Sequence, residues 1–349
     1  MGCVFRWTVV ATALVLLPAC STTDFAKPIG DFATATNDAS TAFSGYADTL
    51  EKLKQQKNLS DVADTPSLLQ PVGCDLTARP SRCELQIAGQ PLKPKFLVHT
   101  RQIMAAIVTY SKNLQAIATA DDVAKLKTAS DAIPADVNGL AKAVDAFSKQ
   151  VGRSTNLAGQ VAAISSPAGE IITIALTKIA EYEKLQALRG ATERMNTIFA
   201  DSMALMSFVA VSNQGIANRA LSRNFETAKE AYAAAVGPVV AKLKEKPKPG
   251  ASPEEQLAFK KQIEPLQNNL RAALEKYEAA AEAFNAGLTA KPEAVFTKLA
   301  DLHANLVDAL EMPNPDFQTV FKKLQDFAAT AATLATDVKK IDDALHPKT

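Results

Sequence analysis

Cysteine is scarce in this 349-residue chain: there are four, Cys3, Cys20, Cys74 and Cys83, none in a CxxC pair. Two-pair cysteine metal sites are therefore excluded, and the three histidines lie too far along the chain to complete one with Cys74 and Cys83. Neither sign of charge is in excess, with 38 basic against 37 acidic residues and a formal net charge of +1. No basic block with interleaved aromatics occurs, so nucleic acid is not expected as a partner. HExxH, GxSxG, a GxGxxG after a strand and the P-loop are all missing, which removes the usual spacings for metal, nucleophile and phosphate sites. No catalytic residue, metal or cofactor is predicted, and the chain reads as a non-enzyme. A long hydrophobic run is lacking too. Residues 202–218 carry no charge, but Ser202, Ser207, Ser212, Asn213 and Gln214 dilute them below a membrane span. Proline and glycine are absent from long stretches in which alanine dominates the apolar set, a composition that favours helix.

The N-terminal segment has a different character. Arg6 is the only charge before Val9 to Leu17, a mostly apolar run too short to span a bilayer, and Leu17, Pro18, Ala19 and Cys20 follow. This LPAC string resembles the signal-peptidase II site of bacterial lipoproteins. The resemblance implies removal of residues 1–19, acylation of the Cys20 sulfur, and a lipidated tether over 20–24. It also implies attachment to the bilayer through acylated Cys20. Ser21 stands where an aspartate would retain the protein in the inner membrane, so the resemblance places the chain on the periplasmic face of the outer membrane. Loss of Arg6 with the signal leaves the mature chain formally neutral, and Trp7, the only tryptophan, leaves with it. In that compartment Cys74 and Cys83 are the two remaining thiols and are expected to pair, closing a short loop worth roughly 2 to 3 kcal/mol.

Beyond the tether, residues 25–349 are predicted to form an all-α, elongated antiparallel bundle of heptad-patterned helices. Phe25, Ile29, Phe32, Thr36, Ala39, Phe43, Tyr46, Leu50 and Leu53 recur at spacings of four and three, which predicts a helix over about 25–56. Pro66, Pro71, Pro80, Pro91 and Pro94 interrupt residues 61–95. There, alternation around Cys74 and Cys83 predicts a small disulfide-stapled β-hairpin, readable as a recognition tip or as a plain connection between helices. Helical spacing resumes from Phe96 to about Thr119, then over Val123 to Val151, where the register runs through Pro134 and predicts a kinked helix or two stacked ones. Asp121 or Asp122 marks its start.

A further helix is expected from near Ser166. The stretch 171–211 is predicted as the centre of a core helix pair, and Ile216 to Lys246 repeats the seam and stops in the run Lys246, Pro247, Lys248, Pro249, Gly250. Ser252, Pro253 and Glu255 spell a capping box for the next helix, which Pro265 should bend. The last two helices are expected over about 292–311 and from Asn314 as N-cap. Single histidines at 99, 303 and 346 read as packed or solvated, and the paired acids Asp121–Asp122, Glu254–Glu255 and Asp342–Asp343 as helix-end or surface charges.

Function follows from these readings as an expectation. The chain is an outer-membrane-anchored periplasmic scaffold or adaptor that binds an envelope protein partner. The alternatives are a membrane-active, pore-forming-like protein built around an apolar central hairpin, and a carrier of a small apolar ligand. The stretch 171–211 separates them: Met203, Leu205 and Phe208 are core in the first reading and lipid-facing in the second.

Overall fold

In a computed structural model the described residues are 25–75, 82–87, 90–91, 97–152, 157, 159, 181–312 and 316–345; side chains are described for these except 71, 73–75, 82–84, 90–91 and 150. The opening heptad seam forms one helix, α1 (Ala26–Asp64), and every residue of that seam is buried. The helix outruns the apolar pattern by two turns, which are polar and braced by the i, i+4 ion pair of Lys57 and Asp61. It stops at Thr65 because Pro66 disfavours helical geometry in the residue before it.

The remaining helices are α2 (Val98–Ala118), α3 (Val123–Gln150), α4 (Glu181–Lys244), α5 (Pro253–Thr289), α6 (Pro292–Glu311) and α7 (Gln318–Leu345). The all-α expectation holds. Asp122 caps α3 by accepting from Lys125 N at 2.7 Å, and Ser252 and Glu255 form both bonds of the expected capping box. Pro134 lies inside a single α3, not between two helices, since Ile133 and Val137 on either side of it are buried and hold the helix across the lost hydrogen bond. Pro265 likewise lies inside one α5. The start near Ser166 and the cap at Asn314 fall outside the described residues.

At the centre, residues 181–211 of the expected helix pair and the seam from Ile216 lie in one helix. No turn separates Val211 from Ile216, and α4 runs unbroken for 64 residues, about 96 Å at 1.5 Å per residue. The polar group that dilutes this stretch bonds along and across the helix. Ser212 Oγ donates to Phe208 O at 2.9 Å and Asn213 Nδ2 to Val209 O at 2.9 Å, both four residues back, while Gln214 Nε2 reaches Ala290 O at 2.6 Å. There is thus no apolar central hairpin within 195–216.

Contacts along the helices fix their directions. Lys27 lies over the Phe321 ring and Lys52 pairs with Asp342, so α1 and α7 run parallel, and the bundle is not antiparallel throughout. Arg101 meets Asp48 and Glu51, which makes α2 antiparallel to α1, and α3 turns back along α2 through Asn113 with Asp136 and His99 with Phe147. Against α4, α5 packs through Phe225 with Phe284 and α6 through Phe199 with His303. Both run antiparallel to it, so α5 and α6 lie end to end along the one long helix, broken only where Ala290 and Lys291 leave helical geometry ahead of Pro292.

Between α1 and α2 sits a small antiparallel sheet, β1 (Leu69–Asp75), β2 (Arg82–Ile87) and β3 (Gln90–Pro91), in the order β1-β2-β3. It contains the expected hairpin. Leu69 pairs with Ile87 and Val72 with Glu84, and the ladder becomes irregular before Asp75 meets Arg82. Cys74 and Cys83 belong to these two paired strands within the irregular part; their side chains, and with them the staple, are outside what is described.

Candidate functional site

The chemistry-bearing side chains of the bundle converge at its centre and are used up there. The hydroxyl of Tyr110 lies 3.0 Å from Nε2 of His303, Phe199 stacks on the imidazole at 4.1 Å between centroids, and Phe32 closes the cage from α1. All four side chains are fully buried. Burial holds the His303 pKa down at about 3, so the ring is neutral at physiological pH, and burial aided by the charge of Asp136 pushes the Tyr110 hydroxyl well above its usual value. Asp136 itself is raised by burial while accepting from Asn113 Nδ2 at 2.6 Å. The cluster is a buried packing element joining α1, α2, α4 and α6.

The other titratable pairs singled out in the sequence are structural too. Asp122 is the α3 cap, Asp121 pairs with Lys125, Asp342 pairs with Lys52, and Glu255 completes its capping box. His99 bonds Gln102 at 2.9 Å on the surface. Among the described residues no group of three or more His, Cys, Asp or Glu side chains could hold a metal ion. Cys20 and His346 lie outside the described residues.

Among the described residues two helix seams carry concavities. A groove of about 570 Å³ runs between α1 and α7, walled by Ala42, Gly45, Ala331 and Ala335 and edged by Asp38 and Lys339. It exists because small residues meet there, and Gly45 lets Val338 come close. A cleft of about 420 Å³ lies between the end of α1 and α4, where Leu53 and Lys57 face Ala220 and Glu226.

The cleft also marks where the bundle ends. Past Leu221 only Val239 of α4 is buried, and before Ala283 only Ile263 of α5 is buried. Among the described residues the two helices continue alone as an antiparallel hairpin zipped by a ladder of stacked rings, Phe284, Phe225, Tyr277 and Tyr232, at 5.4 to 5.7 Å. Its tip is the run Lys246, Pro247, Lys248, Pro249 and Gly250, where Gly250 takes a φ of 96° that an L side chain rarely adopts. The hairpin leaves from the end of the bundle at which α1 finishes, so Phe25 and the tip lie at opposite extremes. The periodicity of both helices was readable; that no third layer among the described residues covers their seam was not, because a heptad pattern does not say how many neighbours share it.

The three side chains chosen to separate core from lipid-facing readings divide. Met203 and Leu205 are buried, whereas Phe208 is exposed, together with Val211 one turn on. Among the described helices α4 is the one long and apolar enough to cross a membrane, and half of its most apolar stretch is buried within the fold.

No family model matches the chain, and no curated protein and no solved structure is similar to it.

Proposed function

We propose that the protein is a bacterial lipoprotein, held through acylated Cys20 on the periplasmic face of the outer membrane, which acts as a non-enzymatic scaffold or adaptor for envelope proteins. The observation that carries this reading is the position of the α4/α5 hairpin at the end of the molecule opposite Phe25, the residue that follows the tether. A chain anchored before Phe25 would present the hairpin away from its own bilayer, where a partner can reach it. In the same reading Cys74 and Cys83 form a disulfide that fixes the short sheet between α1 and α2.

Crosslinking in the native cell, followed by identification of captured proteins, tests the adaptor role. Reproducible capture that depends on the α4/α5 hairpin is expected; capture of nothing beyond background would sink it. Fatty-acid labelling tests the anchor, which is wrong if Cys20→Ala still incorporates label. A non-reduced digest should yield a linked Cys74–Cys83 peptide.

The membrane-active reading keeps one specific observation, the exposed Phe208 and Val211 on an uncharged stretch of α4. Its test narrows to these two, because polar replacement of Met203 or Leu205 would damage the core in either case. Leakage from liposomes that disappears in Phe208→Ser/Val211→Ser, with the fold intact, would displace the adaptor reading.

A further inference from the structure

The turn that joins α4 to α5 is cationic. Residues 240–262 hold six lysines against three glutamates, on a chain whose total is +1. Two of those glutamates are already engaged: Glu245 accepts from Lys242 at 2.7 Å, and Glu255 accepts from the Ser252 backbone at 3.0 Å in the capping box. Lys244, Lys246 and Lys248 are exposed and take part in none of the ion pairs among the described residues. Set among them are apolar side chains held in water, Val240 and Leu243 each 47 % exposed and Leu257 54 % exposed.

We propose that this tip docks on the surface of an anionic phospholipid bilayer, with Leu243 and Leu257 entering between headgroups and Lys244, Lys246 and Lys248 at the phosphate level. Three features select that occupant. Lysines beside isolated leucines match both layers of a membrane interface, anionic outside and apolar a few ångströms below. The tip is convex and narrow, a two-helix end, so a protein partner would need a matching cavity, whereas a bilayer deforms around it. Proline at 247 and 249 and the left-handed Gly250 hold the turn in one shape, so little ordering is lost on insertion. The proposal does not rest on acylation of Cys20. Where that anchor holds, the membrane met by the tip lies across from the one that carries the N-terminus.

The test uses the full chain carrying Leu257→Trp, with the parent chain subtracted to remove Trp7, mixed with vesicles of phosphatidylcholine alone or with added phosphatidylglycerol. An N-terminal lipid or apolar leader would bind both kinds of vesicle alike, so dependence on phosphatidylglycerol reads the tip and separates this proposal from the anchor. The expected result is a blue shift of the added indole, and its quenching by brominated lipid, with phosphatidylglycerol vesicles only. Lys244→Glu/Lys246→Glu/Lys248→Glu should lower partitioning by 100-fold or more, from about fivefold per lysine removed. Leu243→Ser should weaken it without changing its salt dependence. All these positions are exposed, so unchanged circular dichroism is expected in every variant. The proposal is overturned by an indole that keeps its aqueous emission in the presence of bound anionic vesicles, by equal insertion into phosphatidylcholine, or by partitioning that survives the three charge reversals.

Discussion

At the scale of single residues, His303 shows how a titratable group can be spent on packing. Its folded pKa of about 3 lies below the value of 6.5 for the free side chain, so between those values the unfolded chain binds the extra proton. The resulting penalty is absent at neutral pH and grows as pH falls through 6.5 toward 3. Denaturant titrations should therefore show wild type losing about 2 kcal/mol more than His303→Gln between pH 7 and pH 5; parallel losses would mean that the imidazole is not sealed. Gly287 is a second such position. A Cβ there would collide with Leu221 Cδ1, so Gly287→Ala should cost about 1 to 3 kcal/mol, and adding Leu221→Ala should recover part of it in a double-mutant cycle. The sequence placed His303 beside an apolar seam and left open whether it was packed or solvated. It did not disclose Tyr110 as the partner, because the two are 193 residues apart and only the fold brings α2 to α6.

For helices and turns, signals confined to one turn of chain were the readable ones. The Ser252 and Glu255 box and the Asp122 cap are each closed within three residues, so the letters alone carry the geometry. Ser212, Asn213, Gln214 and Gly215 are residue types that favour turns when their side chains compete for the backbone, yet in α4 the first two bond to carbonyls four residues back and leave the helix intact. Gly215 is exposed, mid-helix and has open space where a Cβ would stand. Gly215→Ala should therefore raise stability by about 0.5 to 1 kcal/mol through helix propensity, measured by chemical denaturation. A loss there would indicate a turn and an α4 of two pieces.

For the molecule as a whole, α4 sets the length. Small-angle scattering should give a maximum dimension of about 96 Å or more, since α4 alone has 64 residues at 1.5 Å each; a value below about 80 Å would mean that the hairpin folds back. The heptad seams foretold that each helix had a covered face, but a seam is blind to which neighbour covers it and in which direction. That is why the parallel pairing of α1 with α7 came only from the fold. This pairing has a consequence for how the protein comes into being. Lys52 and Asp342 are 290 residues apart in the chain, so the first helix to be made has one side completed by the last. During synthesis α1 waits, its alanine and glycine face uncovered, while everything between is produced. Loop closure over that distance delays the final contact, which should make the α1–α7 seam the last part of the bundle to form.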